Sequence, residues 1–220
     1  MWHADPGQRF RGFWKSSEDH ESETDLTLDL HRSNRWSLGS AACPTALSIL
    51  PVAPEAVLPT PEDDFQRDSE WHFSCPQSHE ANGSGTFGVN LVVSHLSSEA
   101  NAVVIELILS VQTSLLDSEP TLDFQLRSDV PVTARANNAI HTAVIGSQRW
   151  SILLGPHDAP FTSNHSTSHD LRLRLFGEFM EKGVIRKARP WLVVQSTGDT
   201  ATDLDEILQR LTESPLPLTA

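Results

Sequence analysis

The sequence predicts a mainly β protein: an antiparallel, two-layer β-sandwich-like domain of about ten strands with two short helices near its C-terminus. Three observations carry this expectation. Apolar and polar residues alternate at strand period in one segment after another. Clusters of Gly, Pro, Asn, Asp and Ser separate those segments. No strand–helix–strand alternation occurs, which sets aside the parallel α/β folds.

The longest apolar run is Asn101 to Gln112, NAVVIELILSVQ. At strand period Val103, Ile105, Leu107, Leu109 and Val111 share one face. Ala102, Val104, Glu106, Ile108, Ser110 and Gln112 share the other. A helix would also gather Glu106, Ser110 and Thr113 into a polar stripe, so periodicity alone does not choose. The β-branched residues Val103, Val104, Ile105, Ile108 and Val111 do, because their χ1 freedom is lost in a helix and they suit a pleated surface. The preceding segment alternates as well, with Phe87, Val89, Leu91 and Val93 opposite Thr86, Gly88, Asn90 and Ser94. A short loop over residues 97–100 joins the two as a hairpin.

The remaining elements follow in chain order. Residues 1–25 read as a loosely ordered arm with an acidic run of Glu18, Asp19, Glu21, Glu23 and Asp25, a solvated loop in the simplest interpretation. Asp25 to Arg32 sets Leu26, Leu28 and Leu30 against Thr27, Asp29 and His31, a half-buried strand. Trp36 and Leu38 precede a turn at Gly39, and Thr45 to Leu50 forms a short strand. Residues 51–64 hold Pro51, Pro54, Pro59 and Pro61, then Glu62, Asp63 and Asp64. Proline lacks the ladder N–H, so this is a Pro/acidic loop. The chain before it is too short to hold a core alone, so residues 1–220 form a single domain. Glu70 to Ser74 is a strand, and Asn82-Gly83-Ser84-Gly85 is the turn into the central hairpin.

Beyond that hairpin, Thr121 to Arg127 points Leu122, Phe124 and Leu126 inward. Ala139–Ile145 and Arg149–Leu154 make a second hairpin around Gly146-Ser147. Leu171, Leu173 and Leu175 alternate with Arg172 and Arg174, and Trp191 to Gln195 returns as a strand. One helix is expected over Phe176–Lys182, with Gly183 as its left-handed C-terminal cap. The other spans Asp203–Thr212, capped by Thr202 and ended by Pro215. Its stripe of Leu204, Ile207, Leu208 and Leu211 is expected to dock on its own domain.

Composition narrows the function. The net charge of -13, from 29 acidic and 16 basic residues, argues against nonspecific nucleic-acid binding, which needs clustered cations. No apolar run approaches the roughly 18 residues of a membrane span. The first twenty residues hold no apolar signal segment, so a cytoplasmic protein is expected. Cys43 and Cys75 lack CxxC spacing, which argues against a thiolate zinc site; the two could form a disulfide, but a reducing compartment favours two buried free thiols. Asn82-Gly83-Ser84 and Asn164-His165-Ser166 match the glycosylation sequon, a short pattern that arises often by chance.

Three stretches carry a resemblance to a known family: VIELILSVQTSLLDSEP, FGEFMEKGVIRKARPWL and LTESPLPLTA. Together, mainly over residues 104–220, they resemble an uncharacterised family of conserved hypothetical proteins of planctomycete bacteria. The resemblance implies a bacterial, cytoplasmic protein. It brings no activity, cofactor or catalytic residue.

Two places in the sequence hold the residue types of a site. The segment Gly155–Asp170 carries His157, Asp158, His165, His169 and Asp170. Imidazoles and carboxylates ligate divalent transition metals, and His157, His165 and His169 are the first candidate ligands. Neither HExxH nor a cysteine partner accompanies them. The polar face of the central hairpin is the second place, with Asn90, Glu106, Ser110 and Gln112 as candidate ligand-binding residues beside Ser94. A carbohydrate-binding face of this kind would have an exposed tryptophan beside Ser110 or Gln112. The simpler expectation buries Trp36, Trp71, Trp150 and Trp191 in the core. Glu106 needs a partner if buried. Arg172, Arg174, Lys182, Arg186, Lys187 and Arg189 form a basic stretch suited to an anionic ligand or the acidic N-terminal run, or simply to charge balance. GxSxG, GxGxxG and GxxxxGK[ST] are absent. The expected function is therefore a non-enzymatic β-sandwich that binds a protein partner or a small-molecule or glycan ligand without a cofactor. The alternatives are a metal-assisted or acid–base enzyme on the 157–170 loop and a carbohydrate-binding face around Glu106.

Overall fold

The computed structural model describes residues 1–15, 25–32, 34–52, 56–78, 86–99, 102–198 and 202–215. These residues form seventeen strands and one α-helix. The first seven strands are β1 (Trp2–Ala4), β2 (Arg11–Trp14), β3 (Leu26–Arg32), β4 (Arg35–Ser40), β5 (Leu47–Pro51), β6 (Asp63–Arg67) and β7 (Glu70–Cys75). The central hairpin is β8 (Gly88–Glu99) and β9 (Ala102–Gln112). Then come β10 (Thr121–Arg127), β11 (Thr133–Arg135), β12 (Ile140–Ile145), β13 (Gln148–Leu153), β14 (Thr162–Asn164), β15 (Asp170–Phe176), β16 (Ile185–Ala188) and β17 (Trp191–Ser196). The helix α1 covers Leu204–Glu213.

The strands form two antiparallel sheets. The first runs β1-β2-β3-β4-β5-β10-β15-β14, and the second β11-β12-β13-β17-β9-β8-β7-β6, with β16 also paired to β9. Their inner faces share one core, with Leu28, Leu38, Phe124 and Leu173 from the first sheet and Phe73, Leu91, Leu107 and Trp150 from the second. Val103, Ile105, Leu107, Leu109 and Val111 all lie in it, as the alternation along β9 requires. The mainly β, sandwich-like class is thus what the chain adopts. No helix among the described residues is long and apolar enough to cross a membrane.

Five expectations about the elements need correction. Seventeen strands replace about ten, because β1, β2, β6, β11, β14 and β16 have three to five residues each, too few to show a period. The opening fifteen residues are not a loose arm: β1 and β2 form a hairpin in which Trp2 pairs with Trp14, and these rings are only 2% and 3% exposed. A Cβ at Gly12 would overlap the Trp71 ring, so glycine is what lets β2 lie against the second sheet. Gly39 is not a turn but sits inside β4 opposite Thr27, where a side chain would collide with Pro44. The acidic run Glu18–Glu23, the turn over residues 82–85 and the last five residues of the tail lie outside the described residues. So does part of the Pro/acidic loop, residues 53–55, while Asp63 and Asp64 belong to β6.

The helix expected at Phe176–Lys182 is not there. Phe176 and Gly177 take φ of 64° and 86°, which turns the chain away from β15 before a helical turn can close. Met180 then bonds through its N–H to the Ser118 carbonyl at 2.8 Å, as an isolated bridge. Gly183 does have positive φ, but in a tight turn where Val184 N–H donates to the Glu181 carbonyl.

The C-terminal helix forms within a residue of its expected span. Its cap is Asp203 rather than Thr202: the Asp203 carboxylate accepts the N–H groups of Asp205 and Glu206 at 2.9 and 3.2 Å. Leu204, Ile207 and Leu211 pack on Ala102, Val104, Ile140, Leu153, Trp191 and Val193. The helix therefore docks on the outer face of the second sheet, which buries its apolar stripe within its own domain.

Candidate functional site

Strand register sets side chains of neighbouring strands in rows across the outer face of the second sheet. One row is polar and crosses five strands: Asp63 opposite Ser74, Ser74 opposite Asn90, Asn90 opposite Ser110, and Ser110 opposite Lys187. The next row is Phe65, His72, Val92 and Ile108. These two rows and Ile185 line a groove of about 500 Å³. Val92, Ile108 and Ile185 give it an apolar floor, and a carboxylate and an ammonium bracket the hydrogen-bonding groups between them.

Phe65 is the most unusual residue here. Its ring is 58% exposed, and it stacks on the His72 imidazole with centroids 4.3 Å apart and planes 10° from parallel. His72 Nε2 is 2.8 Å from Glu70 Oε2, which fixes the ring from its far side.

The third row is Arg67, Glu70, Ser94, Glu106 and Trp191. Here the face passes under α1 and its chemistry changes. Trp191 Nε1 donates to Glu106 Oε1 at 2.9 Å, and Arg189 Nε lies 3.7 Å from the same oxygen. The Arg189 guanidinium also donates to the carbonyls of Leu211, Ser214 and Pro215, at 3.2, 3.2 and 2.7 Å. One cation thus closes the C-terminus of α1 and neutralises Glu106 beneath it.

Of the four residues expected on this face, Asn90 and Ser110 lie directly opposite each other in the groove. Glu106 shares their face but is held by Trp191 and Arg189. Gln112 is exposed between Gly88 and Ile185, outside the groove lining. The tryptophan platform is absent: all six tryptophans are at most 5% exposed. Phe65 is the aromatic that sequence reasoning missed, because Asp63 and Asp64 drew its segment into the Pro/acidic loop. A signal was present in the two-residue Asp68-Ser69 turn that joins Arg67 to Glu70, with Asp68 at a φ of 53°.

The residues of the 157–170 segment do not converge. His157 and Asp158 line a cavity of about 350 Å³ with Phe161, Glu178 and Arg186. His165 Nε2 lies 2.9 Å from Ser163 Oγ, beyond the end of β14. His169 Nδ1 faces the Ser128 carbonyl at 3.3 Å, and Asp170 accepts from Gln125 and Arg172. Among the described residues no group of three His, Cys, Asp or Glu side chains is placed to hold a metal ion. Asp158 is 7% exposed and accepts the Arg189 N–H at 3.1 Å. Burial pushes its carboxyl above the ordinary value of 3.8, against the opposing pull of that hydrogen bond.

The basic stretch is dispersed as well. Arg174 grips the buried Asp123 through two bonds of 2.9 and 3.1 Å, Arg186 pairs with Glu178, and Arg189 caps the helix. Of the six, only Lys187 reaches the groove. Cys43 and Cys75 are free thiols, and burial pushes Cys75 up to about 12, which removes it as a nucleophile. No family model and no curated protein matches the chain.

Proposed function

We propose that the protein is a non-enzymatic binding module whose ligand lies in the groove formed by β6, β7, β8, β9 and β16. The observation that carries this is Phe65, a large ring left in solvent above an apolar floor on a face whose other half is covered by a helix. Exposed apolar surface rimmed by polar groups is the usual mark of an interaction site. The ligand it fits is a small molecule or glycan with one apolar face, to stack on Phe65 and His72. A polar edge would meet Ser74, Asn90 and Ser110.

The test is a glycan array and a ligand-observed NMR fragment screen on wild type, Phe65→Ala and Asn90→Ala. Hits on wild type that weaken at least about tenfold in both variants support the assignment. A blank on all three proteins, or hits indifferent to both substitutions, would overturn it.

A second interpretation keeps one favourable observation. His157 and the buried Asp158, whose carboxyl burial pushes upward, line the smaller cavity, which suits acid–base chemistry. A hydrolase substrate panel with wild type and Asp158→Asn tests it: turnover lost in the variant supports an enzyme, and a blank on wild type removes it.

A further inference from the structure

β6 is the last strand of the second sheet, and among the described residues nothing pairs with its outer edge. Arg67 and Glu70 flank a two-residue hairpin turn, so they exchange the hydrogen bonds that close it. Alternation then turns the backbone groups of Asp63, Phe65 and Arg67 toward β7 and those of Asp64 and Gln66 toward the open edge. The Asp64 N–H fits this placement: it donates to the Asp63 carboxylate at 3.0 Å and not to β7. Edge strands usually carry charges that keep other chains off. The charges here are arranged differently. The strand reads Asp-Asp-Phe-Gln-Arg, with Phe65 at its centre and opposite charges two residues to either side.

We infer that this edge pairs with the same edge of a second copy of the chain, antiparallel, about a two-fold axis through Phe65. In that register Asp63 meets the partner's Arg67 and Arg67 meets the partner's Asp63. Asp64 and Gln66 exchange backbone hydrogen bonds with the partner's Gln66 and Asp64. Phe65 stands against the partner's Phe65 at the close, non-hydrogen-bonded spacing where cross-strand aromatic pairs interact best. Pairing would exchange the bond between the Asp64 N–H and the Asp63 carboxylate for the backbone bond and the charge pair across the edge. Among the described residues Arg67 pairs with its neighbour Asp68, at 3.9 Å, with these two side chains 78% and 90% exposed. The axis is perpendicular to the sheet, so the outer faces become continuous and the two grooves lie side by side on one surface. Phe65 and Asp63 also line the groove, so association is tested on the protein without ligand, and Arg67 and Gln66 lie outside that lining.

Sedimentation equilibrium over a concentration series, up to about 100 µM, tests it with a charge swap. The 24.3 kDa chain should show a concentration-dependent dimer. Arg67→Glu and Asp63→Arg should each place like charges opposite one another twice, weakening association at least about tenfold. An equal mixture of the two variants restores both charge pairs in a heterodimer and should recover the wild-type constant. Circular dichroism checks that each variant is folded, and Gln66→Pro, which removes an outward N–H without touching the β6–β7 ladder, should also yield monomer. A wild type that stays monomeric overturns the inference. So do variants that dimerise as wild type does, or a mixture that fails to recover.

Discussion

Strand β9 runs through two unlike environments on one face of one sheet. At Ala102, Val104 and Glu106 the face is roofed by α1. At Ile108 and Ser110 it lies open in the groove beside Lys187 and Asn90. The alternation of residues is the same along the whole strand, so what separates a structural polar residue from an available one is the cover above it. Glu106 belongs to the covered half, where a carboxylate is tolerable because Arg189 and Trp191 meet it. Asn90 and Ser110 belong to the open half, where no packing requirement explains them.

Substitutions should divide along that boundary. Arg189→Ala should have the largest effect, about 3–5 kcal/mol of lost stability in urea unfolding followed by tryptophan fluorescence, because it strands Glu106 and uncaps α1 together. A loss below about 1 kcal/mol would mean that the roof holds by apolar packing alone. Asp203→Ala removes the other cap of the same helix and should cost about 1 kcal/mol.

The pH profile reaches the covered half through Asp158, which bonds the Arg189 N–H. Its carboxyl is raised in the folded protein, so the folded state holds this proton to higher pH than the unfolded chain does. Its contribution to stability is therefore fullest below the ordinary value of 3.8 and is lost as pH rises through the folded value. Asp158→Asn should remove that decline from a series of unfolding curves against pH. An unchanged slope would assign it to other groups. Smallest of all, Asn90→Ala should leave stability within about 0.5 kcal/mol, as at exposed positions with no structural task. A larger loss would make Asn90 as structural as Glu106.

Much of this division was legible in the sequence, and the missing parts have physical causes. The inward face of β9, the helix stripe of Leu204, Ile207 and Leu211, and the shared outer face of Asn90 and Ser110 follow from periods of 2 and 3.6, whereas their direct pairing depends on the register shift between His95 and Ser97. The prolines and acids before β6 masked a strand, since composition there outweighed a five-residue alternation. Phe176–Lys182 showed helix formers and a cap glycine, but left-handed φ at Phe176 and Gly177 commits the chain to a turn first. Glu106 looked like a ligand residue because its two partners sit 83 and 85 positions away, at Arg189 and Trp191. Proximity in the chain carries no trace of that knot.

The most direct measurement is a ¹H–¹⁵N correlation spectrum of the protein titrated with the hits of the glycan and fragment screens. The account predicts shifts confined to Phe65, His72, Ser74, Asn90, Ser110 and Lys187, with Glu106 and the Trp191 indole N–H unmoved. Shifts centred instead on His157, Asp158 and Arg186, or spread under α1, would contradict it.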